Sequence, residues 1–162
     1  MVSGIQTVSK VDLAICQNTT IVSSITGDTM NLVGRVLLYV GATVLAVIGV
    51  LFIFRPHAMG ALVALGMSSP AAATDVRAMY GGFELGVALF LGYCASRPAL
   101  LRAGLVAAFL GMLGFAVGRG VGMWVDGSVA PIHRSMFIFE LTTAGIILLV
   151  HRKTAAKLVP AP

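Results

Sequence analysis

Apolar residues run along the chain in four long blocks, at about residues 32–54, 77–95, 100–124 and 132–150. Within each block they are continuous rather than alternating, which excludes the period-2 strands of a membrane barrel. Each block is close to the roughly 20 residues a helix needs to cross a hydrocarbon core of about 30 Å. Polar punctuation separates them. Arg55-Pro56 stops the first and Arg97-Pro98 the second, Asp126-Gly127 and Pro131 turn the third into the fourth, and His151-Arg152-Lys153 closes the last. The pattern predicts an all-α polytopic membrane protein, a four-transmembrane-helix bundle over residues 31–153. So few residues surround Pro98 that the second and third helices must form a tight antiparallel hairpin. The apolar stretch Gly60–Met67 is too short to span and is expected to lie at the interface or fold back.

The flanks differ from the blocks. Residues 1–30 are polar and rich in Ser and Thr, with no run long enough to span, and are expected to form a flexible tail. Met30 directly precedes the first block and is an alternative start of translation. Residues 154–162 form a short basic tail.

Composition agrees with the pattern. Of 162 residues, 58% are hydrophobic and 10% charged, with a mean hydropathy of +0.98. A soluble domain carries roughly a quarter charged residues, and a chain this short has too little interior to hide so much apolar surface. The expected partner is the lipid bilayer. The net charge of +5 does not point to nucleic acid, because the basic residues sit singly at block ends rather than along one face. With four crossings, Lys10, Arg35, Arg97, Arg102, Arg152, Lys153 and Lys157 fall on one side of the membrane. Arg55, Arg77, Arg119 and Arg134 fall on the other. The richer side is the cytoplasmic one, so both termini are expected inside.

Several chemistries are absent. Cys16 and Cys94 give neither a disulfide framework nor metal-ligand spacing. Cys94, inside an apolar block, is expected as a small buried hydrophobe. Cys16 follows Leu13-Ala14-Ile15, but no apolar signal core precedes it and Ile15 is too large for a lipoprotein cleavage site. His57, His133 and His151 lie at helix ends or in loops, whereas a b-type haem needs histidines buried on facing helices. No zinc-hydrolase spacing, P-loop, nucleophile elbow or dinucleotide fingerprint occurs. No catalytic residue, metal or cofactor is predicted, and the balance is against an enzyme.

What stands out is charge inside the apolar blocks: Arg77, Glu84, Arg119 and Glu140. A charged side chain within the bilayer costs several kcal/mol, so such residues normally face the bundle and pair. Counting at about 1.5 Å per residue places all four in the outer half of the membrane. Arg77, Tyr80, Gly81, Glu84 and Ala88 share one helical stripe, and Glu140, Thr143, Ala144 and Ile147 another. The third block carries Gly104, Gly111 and Gly118 at seven-residue spacing and Gly114, Gly118 and Gly122 at four. Such small residues let helices approach closely within the bundle. Two readings of the polar residues remain open. One is a structural clasp in which Arg119 pairs with Glu140 or Glu84 beside Tyr80. The other is a polar cavity that binds a small ligand or moves protons.

The run Asp75-Val76-Arg77-Ala78-Met79-Tyr80-Gly81-Gly82 resembles the bacterial membrane proteins grouped as domain of unknown function 4345, in which an Asp-x-Arg-Ala-x-Tyr-Gly-Gly run opens the second helix. Gly118-Arg119 followed by Asp126-Gly127, and Glu140 in the last helix, fit the same family, and the likeness covers about residues 32–150. The resemblance implies a four-helix protein of the bacterial inner membrane, similar in layout to DoxX-like proteins, and it brings no activity, substrate or cofactor. It sets Asp75, Arg77, Tyr80, Arg119 and Glu140 together as an intramembrane polar cluster, with Gly81 and Gly82 among the packing glycines. Glu84 joins the cluster on spacing alone.

The leading expectation is a small multi-pass membrane protein with a mainly structural Arg/Glu/Tyr cluster, serving as an accessory subunit of a larger membrane complex or as a homo-oligomer. The alternatives are a proton-coupled transporter or channel for a small solute and, more weakly, a DoxX-like redox protein binding quinone or lipid near Arg77 and Tyr80.

Overall fold

The structure, a computed structural model, describes residues 10–127 and 130–154. Residues 1–9 and 155–162, the outer parts of the two expected tails, lie outside the described residues, as does the side chain of Cys16. The chain is helical throughout its longer elements: α1 (Lys10–Phe54), α2 (Pro56–Leu62), α3 (Pro70–Val76), a π-helical segment (Arg77–Phe83), α4 (Glu84–Ser96), α5 (Leu101–Val125) and α6 (Pro131–Lys153). A single 3₁₀ turn, Pro98–Leu100, joins α4 to α5. Four stretches are long and apolar enough to cross a membrane: Gly27–Phe54, Pro70–Ser96, Pro98–Val125 and Pro131–Lys153.

Two boundaries differ from the sequence expectation. Lys10–Met30, expected within a flexible tail, is helix continuous with the first span. Nucleation is the expensive step of helix formation and propagation adds one hydrogen bond per residue fixed. No proline interrupts this stretch, so the helix that the apolar block nucleates extends backwards through it. The second span begins at Pro70 rather than near Arg77. Ser69 is the reason. Its hydroxyl accepts the Ala72 amide at 3.2 Å, and Pro70 supplies a first helical residue that needs no hydrogen-bond acceptor. The connector between the first two spans turns back after α2, with Ala64 at a positive φ of 57°.

The four spans form two closely packed antiparallel pairs, α1 with α4 and α5 with α6. The pairs meet at the end carrying the α4–α5 turn, around Leu38, Leu91, Cys94, Ala95, Leu101, Leu105, Ile147 and Val150. Cys94 is buried there as expected. Gly104 makes the approach possible, because a Cβ on it would stand 2.6 Å from the Cys94 Cβ and 2.7 Å from a Leu38 methyl. Two arginines stitch the same end to backbone. Arg35 Nε donates to the Ala95 carbonyl at 3.0 Å, and Arg102 Nη1 donates to the carbonyl of the buried Thr154. Each satisfies a carbonyl at a helix C-terminus, where no intrahelical donor remains.

Candidate functional site

At the opposite end of the bundle lies the one ion pair among the described residues. Arg119 projects from α5 and Glu140 from α6, and their charges meet at 2.8 Å between Nη2 and Oε1. Nε lies 3.1 Å from Oε2 and 3.2 Å from Oε1, so the guanidinium engages both carboxylate oxygens side-on. This is the fork geometry in which charge-assisted hydrogen bonds are strong and orientation is fixed. The side chain of Glu140 is 9% exposed and that of Arg119 is 23% exposed. Glu140 continues the buried stripe of α6 through Ala144, Ile147 and Val150, so the helix face that buries aliphatic residues at one end buries a carboxylate at the other. Two antiparallel helices can hold the pair because Gly120, next to Arg119, lets the Phe137 ring lie 3.2 Å from where a Cβ would be.

A third residue completes this group. Nη1 of Arg119 lies 3.2 Å from Nδ1 of His133. A guanidinium has donors and no acceptor, so Nδ1 must be the bare nitrogen and the ring N–H sits on Nε2. From the sequence His133 is expected only as a helix-end residue. Its signal was its position seven residues before Glu140, two turns along the same face. Beside these residues an open cleft of about 290 Å³ is lined by Arg119, Gly122, Met123, Asp126 and His133.

The other residues expected in the cluster are distributed elsewhere. Arg77 and Tyr80 belong to the joint between α1 and the π-helical segment. Arg77 Nε donates to the Ile53 carbonyl at 3.1 Å, and the Tyr80 ring stacks on Phe52 with centroids 5.3 Å apart. Gly81 is buried in the same joint, where a Cβ would fall 2.6 Å from an Ile53 methylene. On the facing helix, a Cβ on Gly49 would stand 2.9 Å from the Gly81 carbonyl oxygen. The π-helical turn thus coincides with residues Arg77–Phe83 of the sequence motif. Such i→i+5 turns are rare and usually mark a local constraint. Asp75 is exposed and, among the described residues, makes neither an ion pair nor a hydrogen bond. Glu84 is half-buried with its Oε2 enclosed and without a hydrogen-bond partner. Counted from the α4–α5 end at 1.5 Å per residue, Glu84 and Glu140 stand at about the same height, roughly 18–20 Å, yet only Glu140 has a counter-charge.

The glycines divide in the same way. Gly111, Gly114 and Gly118, expected to pack against neighbouring helices, face open space, with nothing within 4 Å of a Cβ placed on any of them. Gly82 and Gly122 meet only their own helix, at 3.9 Å from the Arg77 carbonyl oxygen and 4.0 Å from the Asp126 carboxylate. The ridge expectation fails because seven- and four-residue spacing identifies one face of a helix without saying whether protein or lipid covers it. The closely packed glycines are Gly34, Gly49, Gly60, Gly81, Gly104 and Gly120, with Gly92 in ordinary contact with Ala42 of α1.

The family model for the domain of unknown function DUF4345 matches residues 33–151. The chain belongs to the DUF4345 family. The match holds both partners of the α5–α6 ion pair, the whole π-helical segment and the α1–α4 contact, and it leaves out α1 before Val33. No curated protein and no solved structure matches the chain significantly. This DUF4345 protein is therefore a multi-pass membrane protein by its helices and of an uncharacterised family by its sequence. Among the described residues no three His, Cys, Asp or Glu side chains are grouped as metal ligands would be.

Proposed function

We propose that the chain is an accessory subunit of a larger membrane assembly, with Arg119 and Glu140 serving structure rather than chemistry. The observation that carries this reading is the side-on pairing of the two charges: three contacts join the guanidinium to both oxygens of the buried Glu140 carboxylate, and His133 takes a fourth. A carboxylate that moves protons needs an open face, whereas both oxygens of Glu140 are engaged in holding α6 to α5. The uncovered α5 face at Gly111, Gly114 and Gly118 offers a neighbouring helix a close approach, which is the means of association available in lipid. The setting is a bacterial inner membrane with both termini cytoplasmic, in keeping with the basic residues gathered at the α4–α5 end. Affinity purification from native membranes tests the reading. A larger membrane protein should co-purify in fixed ratio, and a chain recovered only as free single copies contradicts it. Reporter fusions after Arg97 and at the carboxy terminus should behave as internal and one after Asp126 as external. An external carboxy terminus would overturn the orientation.

A second reading, a proton-coupled transporter, rests on Glu84, whose enclosed oxygen has no partner. It requires solute flux in liposomes that follows a pH gradient and disappears in Glu84→Gln.

A further inference from the structure

The cleft beside Arg119 has a composition that the clasp does not use. Of the five N–H donors of a guanidinium, Nε–H and one hydrogen on each terminal nitrogen are committed to Glu140 and His133. One hydrogen on Nη1 and one on Nη2 remain. His133 accepts at Nδ1, so its Nε2–H is a further donor. Two turns further along the same face of α5 stands Asp126, its C-cap, exposed and without an ion pair or side-chain hydrogen bond among the described residues. Its carboxylate folds back over Gly122, 4.0 Å from where a Cβ would sit, so the glycine forms floor rather than wall. The cleft thus presents donors toward Arg119 and His133 and a free carboxylate toward the end of α5. Arg119 and Glu140 cancel, leaving the lining with the single negative charge of Asp126. A simple anion would meet that charge unopposed. A zwitterion with oxygens for the donors and an ammonium group for Asp126 satisfies both.

Position narrows the ligand further. Asp126 directly follows the last residue of the third span, and His133 is the third residue of the fourth, so the cleft opens at headgroup level. At the same level of the bundle Trp124 is 83% exposed, and Val125 and Ile132 are exposed too. An indole at this depth is characteristic of the membrane–water boundary, and the aliphatic neighbours would lie along acyl chains. We propose that the cleft binds a phosphoester bearing a primary ammonium group, supplied as the headgroup of a phosphatidylethanolamine-type lipid. Phosphate oxygens accept from Arg119 and Nε2 of His133, and the ammonium donates to Asp126. The inference is independent of whether the chain is an accessory subunit.

The test uses the full chain, delipidated in detergent and titrated by native mass spectrometry. The probes are phosphatidylethanolamine, phosphatidylcholine (an ammonium without N–H), phosphatidylglycerol (a phosphate without ammonium) and soluble glycerophosphoethanolamine. Phosphatidylethanolamine should bind roughly tenfold tighter than the other two lipids, the scale of one charge-assisted hydrogen bond. Asp126→Asn should abolish that preference without lowering the melting temperature, while Asp75→Asn, at an exposed acid elsewhere, should leave it intact. Equal binding of the three lipids, a preference for phosphatidylglycerol, or an Asp126→Asn protein that still selects phosphatidylethanolamine overturns the proposal. If glycerophosphoethanolamine competes as strongly as the lipid binds, the lipid source is overturned and the ligand is a soluble phosphoester.

Discussion

The two ends of this bundle are held together by different physics. At the α4–α5 end, the helices meet through aliphatic side chains, a missing Cβ at Gly104 and two arginines bonded to backbone carbonyls. At the other end, α5 and α6 are joined by an ion pair set beside an open cleft. In water the first end would be stabilised by removing apolar surface from solvent. In lipid that driving force is nearly absent, because acyl chains are as apolar as leucine, and what remains is shape and hydrogen bonding. The polar end is the reverse case. A charge in hydrocarbon has no good alternative to its partner, so one pair can fix two helices without an extensive core around it.

The largest expected effect lies at the polar end. Glu140→Leu or Arg119→Leu leaves one charge in a low-dielectric site without a counter-charge, a loss of about 3–5 kcal/mol where such pairs have been broken. Either variant should melt well below the parent in detergent. Gly104→Val should rank next. Its side chain would enter space already taken by Leu38 and Cys94, and overpacking of this kind costs about 1–3 kcal/mol. Gly111→Ala and Gly118→Ala sharpen the contrast: with nothing within 4 Å, they should be neutral or raise the melting temperature slightly, since alanine favours helix by about 1 kcal/mol over glycine. If Gly118→Ala proves as harmful as Gly104→Val, the open face of α5 is covered by protein in the membrane. A small loss is expected at the α1 joint. Arg77→Met removes one hydrogen bond to the Ile53 carbonyl, at an exposed position, and should lower stability by about 1 kcal/mol or less, read by the same melt.

The difference between the ends also governs what could be read from the sequence. Charges in apolar blocks are conspicuous, so Arg119 is recognisable from the sequence as needing a carboxylate, with Glu140 and Glu84 both candidates at similar depth. The four spans follow from length and continuity; the choice of Glu140 is visible only in the structure. The joint at Arg77–Phe83 is half legible. The motif marks the place, but a π-helical turn breaks the 3.6-residue period on which the Arg77–Ala88 stripe was drawn, so Arg77 and Tyr80 reach α1 and not the ion pair. The apolar end is least legible. Leu38 and Leu105 are buried while Val36 and Val106 are exposed, and nothing in a uniformly apolar block distinguishes them, because protein and lipid select the same side chains. Gly104 and Gly118 differ in the same hidden way, one packed and one open, on a single repeat.

The central claim is that Arg119 and Glu140 act as one structural unit joining α5 to α6, and a double-substitution cycle measures this directly. Melting in detergent would be compared for the parent, Arg119→Leu, Glu140→Leu, Glu84→Leu, and Arg119→Leu combined in turn with each glutamate change. Residues in one ion pair couple, so removing Arg119 and Glu140 together should cost clearly less than the sum of the separate losses. Arg119 and Glu84 should be additive, since no contact joins them. Additive losses for Arg119 with Glu140, or a coupling that appears with Glu84 instead, would contradict the account.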